Sequence, residues 1–288
     1  MSRHFVAPGK AVVAGEYAVI DGAPALVAAV NVGVQCTVSP GPRRRVTTDA
    51  PDTRFVDAAL DAADAPPGDY AFTAWNPPPT ATKPGLGSSA AATVVAVAAA
   101  RSLRGHAISP HPVFDIAAPA HHRVQGSGSG IDVAASCWGG LIRFTRGTTP
   151  VPTAPLRLLV IWSGQSAATG PRVEAYQAWP GRPAFARSSR ELVDAFLNDP
   201  IEGLRANHRL LQTMTTSAGI DWATPALDRI HSLALQHGGA AKPSGAGGGD
   251  CAVAIMPDPD AEAAFLRACA AEGFPALATS LERGVSER

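Results

Sequence analysis

Only three of the 24 basic side chains in this 288-residue chain are lysines, and each lies in a glycine-punctuated segment. Lys10 stands in Ala7-Pro8-Gly9-Lys10 and Lys83 in Lys83-Pro84-Gly85-Leu86-Gly87-Ser88-Ser89. Lys242 opens Lys242-Pro243-Ser244-Gly245-Ala246-Gly247-Gly248-Gly249-Asp250. An ammonium is a compact, movable point charge and a guanidinium a flat, rigid fork, so lysine persists where that difference matters. Glycine-rich turns expose backbone N–H groups, and with a lysine nearby they suit a polyphosphate.

In the second segment two glycines permit tight turning, two hydroxyls follow, and a long Ala/Val run begins. Free N–H groups and the positive end of a helix macrodipole then face whatever lies before the run. The same residues also read as a serine-capped helix after a glycine turn. Neither GxxxxGK[ST] nor a strand followed by GxGxxG occurs, which excludes the two commonest phosphate-binding fingerprints. Gln125-Gly126-Ser127-Gly128-Ser129-Gly130-Ile131-Asp132 puts a carboxylate just after a loop, in isolation an ordinary helix cap. In the third segment a sharp turn accounts for two glycines but not four, whereas close approach of backbone to a ligand accounts for all.

Composition narrows the field. The 24 acidic residues balance the 24 basic ones, which removes the electrostatic case for a nucleic-acid or membrane-surface partner. Arg43-Arg44-Arg45, among Pro40, Gly41 and Pro42, reads as a solvated hairpin end. Cys36, Cys137, Cys251 and Cys269 show no metal or redox spacing and read as small apolar fillers. With no recognisable signal peptide and no apolar run of membrane-spanning length, a cytoplasmic protein is expected.

The elements that must carry these segments follow from pattern. Residues 5–7, 11–20 (broken at Gly15-Glu16) and 25–38 read as strands, with a hairpin at Asp21-Gly22. Loops are expected over 39–54 and 61–69, and a strand over 70–75. Ser88 or Ser89 is expected to cap a buried helix ending near Leu103, followed by a helix over 110–124 interrupted at Pro119 and a short helix from Asp132. Strands are expected at 141–144, 156–162, 251–256 and 276–281. Helix starts are read at Ser188 with Glu191, Asp199-Pro200, Thr224-Pro225 and Asp258-Pro259. A composition change near 147–155 divides the chain into domains 1–150 and 151–288, the second an α+β sandwich with helices on one face of an antiparallel sheet.

Taken together, the three segments resemble the GHMP kinase superfamily. Ala7-Pro8-Gly9-Lys10 with Gly15-Glu16-Tyr17 matches its first motif, the Gly-Leu-Gly-Ser-Ser-Ala run its second, and the stretch from Gly245 to Asp250 its third. Within it the details look most like phosphomevalonate kinases. The resemblance implies an α+β GHMP kinase fold, with a ribosomal-protein-S5-domain-2-like N-terminal (ATP-binding) domain and a ferredoxin-like C-terminal domain. It implies ATP and Mg²⁺ as cofactors, a small-molecule acceptor, and a monomer or homodimer. It further implies that Lys83, Gly85, Leu86, Gly87, Ser88, Ser89 and Ala90 hold ATP and that Ser89 reaches Mg²⁺. Lys10 and Asp132 would be catalytic. Lys10, His121, Ser129, Gly130, Ser244, Gly245, Ala246 and Gly247 would bind the acceptor. Where mevalonate kinases carry a magnesium-binding glutamate, this chain has Ala120-His121-His122. A phosphate-monoester acceptor needs no strong base, with Asp132 orienting Lys10 or the acceptor; an alcohol acceptor would make Asp132 a general base.

Overall fold

The β-branched and small residues of the first forty positions carry the chain out and back as two long antiparallel strands, β1 (Arg3–Ala14) and β2 (Ala25–Pro40). Between them the chain makes a single 3₁₀ turn, Ala18–Asp21, so 18–20 is helical rather than the expected strand. The computed structural model describes residues 2–78, 80, 84–126 and 128–288. Next come β3 (Arg45–Thr48), α1 (Arg54–Ala62) and β4 (Gly68–Trp75). The expected loop over 39–54 therefore holds a strand, because β4 offers a free edge to which β3 pairs in parallel. Then follow α2 (Ser88–Leu103), α3 (Pro110–Gln125), α4 (Ile131–Trp138), β5 (Leu141–Phe144) and β6 (Val151–Pro152). The helix over Pro119 runs without interruption.

The remaining elements are β7 (Leu159–Trp162), α5 (Gly170–Ala178), α6 (Arg182–Ala195), α7 (Pro200–Ala218) and α8 (Pro225–Gln236). They continue with β8 (Ala240–Pro243), β9 (Cys251–Ile255), α9 (Pro259–Ala271), β10 (Ala276–Ala278) and β11 (Ser286–Glu287). Asp199, Thr224 and Asp258 each accept a hydrogen bond from the backbone N–H three residues on, with proline at the helix start in all three. The expected start at Ser188 is not one: Pro183 opens that helix earlier, and the buried Ser189 lies in its interior.

Two sheets result. The larger runs β11-β1-β2-β4-β3, with β5 on β2 and β6 beyond it; the smaller runs β10-β7-β9-β8, all antiparallel. The chain passes from one sheet to the other between residues 152 and 159, yet the tail returns. Leu281 bridges Val30, Arg283 bridges Gly139, and β11 pairs with β1. A second unit running to residue 288 omits that return.

Helix α2 lies on the larger sheet, apolar nearly all round, with Ala90, Val94, Val97 and Ala100 fully buried against Phe5, Cys36, Tyr70 and Phe72. A second core joins the two sheets, where Ala11, Val13, Leu26 and Leu141 meet Val160, Trp162, Val253 and Leu277. Phe5 and Ala7 face the first core and Ala11 and Val13 the second, although all four share one alternation. The register shift between Pro8 and Gly9 turns the strand over, as a bulge does. Lys10 sits just past that turnover.

Deep in the smaller unit, His208 of α7 stacks on His231 of α8, with ring centroids 3.9 Å apart, and His231 Nδ1 lies 2.6 Å from the Ala241 carbonyl oxygen. Burial, with His231 and Lys242 beside it, holds the His208 ring down at about 3 from an ordinary 6.5. Between those two values the unfolded chain binds a proton that the folded one does not, so stability must fall as the pH is lowered through that window. The melting temperature is expected to drop progressively below about pH 6.5, and His208→Gln to flatten that slope. Equal slopes for the two proteins in thermal melts from about pH 7 to pH 4 would show that another group carries the acid sensitivity.

Candidate active site

Two helix starts converge on one lysine. Helix α2 begins after Gly87 and α4 after Gly130, both glycines in the left-handed region (φ 75° and 84°). The N-cap residue of α2 is Gly87, with no side-chain cap, so Ser88 and Ser89 lie in the first turn of α2 rather than capping it; at α4 the Ser129 hydroxyl accepts the Ile131 N–H at 3.4 Å. The first N–H groups of a helix have no intrahelical acceptor, and the loop formed by Pro84, Gly85, Leu86 and Gly87 leads directly into the start of α2. Strand β1 presses on that loop: Lys10 N–H donates to the Leu86 carbonyl at 2.8 Å, and Lys10 Nζ to the Gly85 carbonyl at 3.1 Å. A Cβ on Gly87 would lie 3.0 Å from Lys10 Cγ and 3.7 Å from Asp132 Cβ. Asp132, in the first turn of α4, has Oδ1 3.9 Å from the Lys10 ammonium.

Lys10 and Asp132 open onto a cavity of about 190 Å³. Its walls include Glu16, Tyr17, Ile20, Gln125 and Ile131, together with Ser129, Gly130, Thr169, Gly245 and Ala246. His121 lies at its edge, with Nε2 3.2 Å from Ser89 Oγ and its ring 5.0 Å from that of Phe55. Burial pushes the His121 ring below the ordinary histidine value, a shift opposed by the charge of Asp132. On the other side of Ser88 and Ser89 a second cavity, of about 350 Å³, is lined by Val34, Thr48, Phe55, Phe72 and Ala92 among others. Ser89 and His121 thus stand between two hollows.

The third glycine segment braces this arrangement from the smaller sheet. Asp250, itself at φ 55°, packs its carboxylate on Gly85 and accepts the Ala167 N–H at 3.1 Å. Burial raises the Asp250 carboxyl above its ordinary range, against the lowering effect of the Ala167 N–H, Lys10 and Arg172. The Cys251 thiol donates to the Pro84 carbonyl at 3.1 Å. Gly247 is pressed on the Trp222 ring and carbonyl, with no room for a side chain, and Gly248 lies against the Arg172 guanidinium.

Comparison with known proteins agrees with this geometry. The profile for the GHMP kinases N terminal domain matches residues 63–140 and that for the GHMP kinases C terminal matches 192–275. The phosphomevalonate kinase of a Streptomyces species (strain CL190) is 30% identical, over 91% of this chain and 90% of the relative. The chain belongs to the GHMP kinase family. The mevalonate kinase of Thermococcus sibiricus is 25% identical, over 90% of each chain. The solved structure of Streptococcus pneumoniae phosphomevalonate kinase in complex with phosphomevalonate and AMPPNP superposes with a TM-score of 0.83 at 22% identity. It covers 98% of this chain and 99% of that one, a likeness of fold.

Of the residues expected from this GHMP kinase's sequence, Lys10, His121, Ser129, Gly130, Asp132, Gly245 and Ala246 share one cavity. Gly85, Leu86, Gly87, Ser88 and Ser89 form the turn and helix start beside it, whereas the Ala90 side chain is in the helical core, leaving only its backbone to face a ligand. Lys83 lies outside the described residues. Ser244 does not reach the cavity; its hydroxyl exchanges hydrogen bonds with Val12 N–H and C=O at 2.9 and 3.2 Å. Gly247 is likewise a packing glycine against Trp222. Lys242 is wholly buried and paired with Glu16, so it resembles Lys10 in sequence only.

Sequence reasoning passed over Gln125, Thr169 and Asp250 as site residues, as well as Phe55 and Thr48 of the second cavity. Glu16 and Tyr17, visible in the Gly15-Glu16-Tyr17 motif, were the two within reach.

The left-handed φ of Gly87 and its contact with Lys10 Cγ leave little tolerance for a side chain there. Gly87→Val is expected to lower affinity for an ATP analogue by on the order of tenfold or more, equivalent to about 1.4 kcal/mol. A strained backbone residue costs about 1–3 kcal/mol, so the melting temperature should fall by only a few degrees. Unchanged calorimetric affinity would show that the turn at Gly85, Leu86 and Gly87 does not hold the nucleotide phosphates.

Proposed function

We propose that this GHMP kinase transfers the γ-phosphoryl group of ATP to phosphomevalonate, giving diphosphomevalonate. The reading is carried by one observation: an ammonium, Lys10, is bonded to the Gly85 carbonyl of the glycine loop before α2 and lines a cavity of about 190 Å³ together with Asp132. The relative at 30% identity, itself a phosphomevalonate kinase, supports the choice of acceptor. The triphosphate would lie along Gly85, Leu86, Gly87 and the first turn of α2, the nucleoside would occupy the cavity beside Phe55 and Phe72, and the acceptor would occupy the cavity bounded by Tyr17, Ser129 and Ala246.

In phosphoryl transfer the protein chiefly positions groups and neutralises charge. A phosphate monoester has a second pKa of about 6 and is already nucleophilic at neutral pH. Lys10 would then bridge acceptor and γ-phosphoryl oxygens, and Asp132 would orient the ammonium from 3.9 Å. The N–H groups at the start of α2 would meet the charge that passes to the leaving diphosphate. His121, against Ser89 and at the edge of the acceptor cavity, would contact the acceptor phosphate.

Among the described residues no group of three or more His, Cys, Asp or Glu side chains is arranged to hold a metal ion. Mg²⁺ fits nevertheless, because it binds nucleotides through one or two protein oxygens, phosphates and water. The Ser89 hydroxyl, with the Asp132 carboxylate nearby across Gly87, supplies hard oxygen donors of that kind. When bound, the ion would neutralise phosphate charge.

A coupled assay of ADP release over phosphomevalonate, mevalonate and a sugar panel tests the acceptor, with phosphomevalonate expected to give the highest kcat/KM. Preference for mevalonate would overturn the reading and make Asp132 a general base. Lys10→Arg keeps charge but puts a wide, planar group between two phosphoryl groups. A loss in kcat on the order of 10²-fold, or about 3 kcal/mol, is expected with phosphomevalonate still bound; a fully active variant would show that charge alone suffices. Asp132→Asn should lower kcat by at least about tenfold with KM far less changed, and near wild-type turnover would reduce Asp132 to a helix-start residue.

A further inference from the structure

The third lysine does not line the cavity, yet among the described residues it is the most deeply buried charge. Lys242 on β8 has a wholly buried side chain and Glu16 is 1% exposed. The Lys242 ammonium donates to Glu16 Oε1 and, at 2.8 Å, to the Pro243 carbonyl. The other Glu16 oxygen accepts a hydrogen bond from Asn207 Nδ2 of α7 at 3.0 Å, and the same amide reaches the Val13 carbonyl at 3.4 Å. The network ties together the turn after β1, the helix α7 and the strand β8.

Its energetic role needs another explanation than stability. Burying two charges costs about as much as their attraction returns, and well-packed apolar residues often stabilise such a position as well or better. In some proteins directional buried polar groups supply a unique arrangement of the elements that carry them. Here both chain segments leaving the ion pair run to the acceptor cavity. Beyond Glu16, Tyr17 adopts φ 61°, uncommon for a residue with a side chain, and its hydroxyl donates to the Ala246 carbonyl at 2.6 Å. Beyond Lys242, Ser244 is locked to Val12. Tyr17, Gly245 and Ala246 form one wall of the cavity facing Lys10 and Asp132, whereas the second cavity is lined by other residues.

We propose that Lys242 and Asn207 are positioning residues which, through Glu16, hold the Tyr17–Ala246 wall in register with Lys10 and Asp132, so that acceptor binding depends on this buried network while nucleotide binding does not. The inference rests on the assignment of that cavity to the acceptor. Neither Lys242 nor Asn207 lines the cavity, so substituting them alters the wall only through the network.

Lys242→Met and Asn207→Leu should each raise KM for phosphomevalonate, by about tenfold or more for Lys242→Met, since a displacement near 1 Å from a remote substitution can cost about 10²-fold. Calorimetric affinity for AMPPNP should stay within about twofold, well inside the 1.4 kcal/mol that marks a tenfold change. Amide exchange should rise over residues 15–20 and 244–249 and remain unchanged over 88–103. Should Lys242→Met fail to fold, Asn207→Leu, which leaves the ion pair intact, decides the matter. A lowered melting temperature with unchanged acceptor KM, or equal losses in both affinities, would make the network purely structural and overturn the proposal. Wild-type turnover of phosphomevalonate is the control for the acceptor reading. If mevalonate is turned over instead, the same comparison is made with mevalonate, and the exchange measurement needs no acceptor at all.

Discussion

Strand β1 and the loop before α2 lie so close that no side chain fits between them, and the candidate site depends on that approach. The backbone of Lys10 is bonded to Leu86 and its ammonium to Gly85. A Cβ at Gly9 would collide with the Leu86 carbonyl, and one at Gly87 would press on the lysine stem. The contact fixes an ammonium against the loop that leads into a helix start, with the Asp132 carboxylate 3.9 Å away. Pre-set positions of this kind are what phosphoryl transfer requires, since the protein contributes geometry and charge rather than covalent chemistry.

Charge in this protein is divided by depth. Arg44, Arg45, Arg157 and Arg229 pair with Asp61, Asp69, Glu262 and Glu272 at the surface, where solvent screens both partners. The two described lysines do otherwise. Lys10 sits partly shielded at the mouth of a cavity, and Lys242 is enclosed with Glu16. An ammonium satisfies three acceptors from a small volume, which suits both a gap between phosphoryl groups and a packed interior. One composition signal therefore covers two different roles.

The smaller sheet is part of the site through backbone as much as side chains. Asp250 and Cys251 grip Gly85 and Pro84, and Ala246 receives the Tyr17 hydroxyl. Of the four glycines of the third segment only Gly245 lines the cavity; Gly247 packs on Trp222, Gly248 on the Arg172 guanidinium and Gly249 on the Gln165 carbonyl, so the approach that the sequence suggested toward a ligand is for these three an approach to protein. Among the described residues no helix is long and apolar enough to cross a membrane.

The sequence by itself determined the α+β class, the helix starts at Asp199, Thr224 and Asp258, and the gathering of Lys10, Asp132 and the Gly-Leu-Gly-Ser-Ser turn into one site. The helix starts rest on local chemistry, caps and prolines in the first turn, whereas the gathering of the site rests on the resemblance of three motifs, in order, to the GHMP kinases. Tertiary structure alone decided that β3 is a strand, that α6 begins at Arg182 rather than Ser188, and that the tail returns to β1. Each depends on a partner far away in the chain, which local patterning does not encode. It also separated residues that look alike in sequence. Gly245 and Ala246 reach the cavity while Ser244 and Gly247 turn to Val12 and Trp222, because neighbouring residues in a turn point in different directions. Lys242 shares its glycine-rich surroundings with Lys10 but meets a buried carboxylate instead of a cavity, since what surrounds a side chain is set by the elements packed over it.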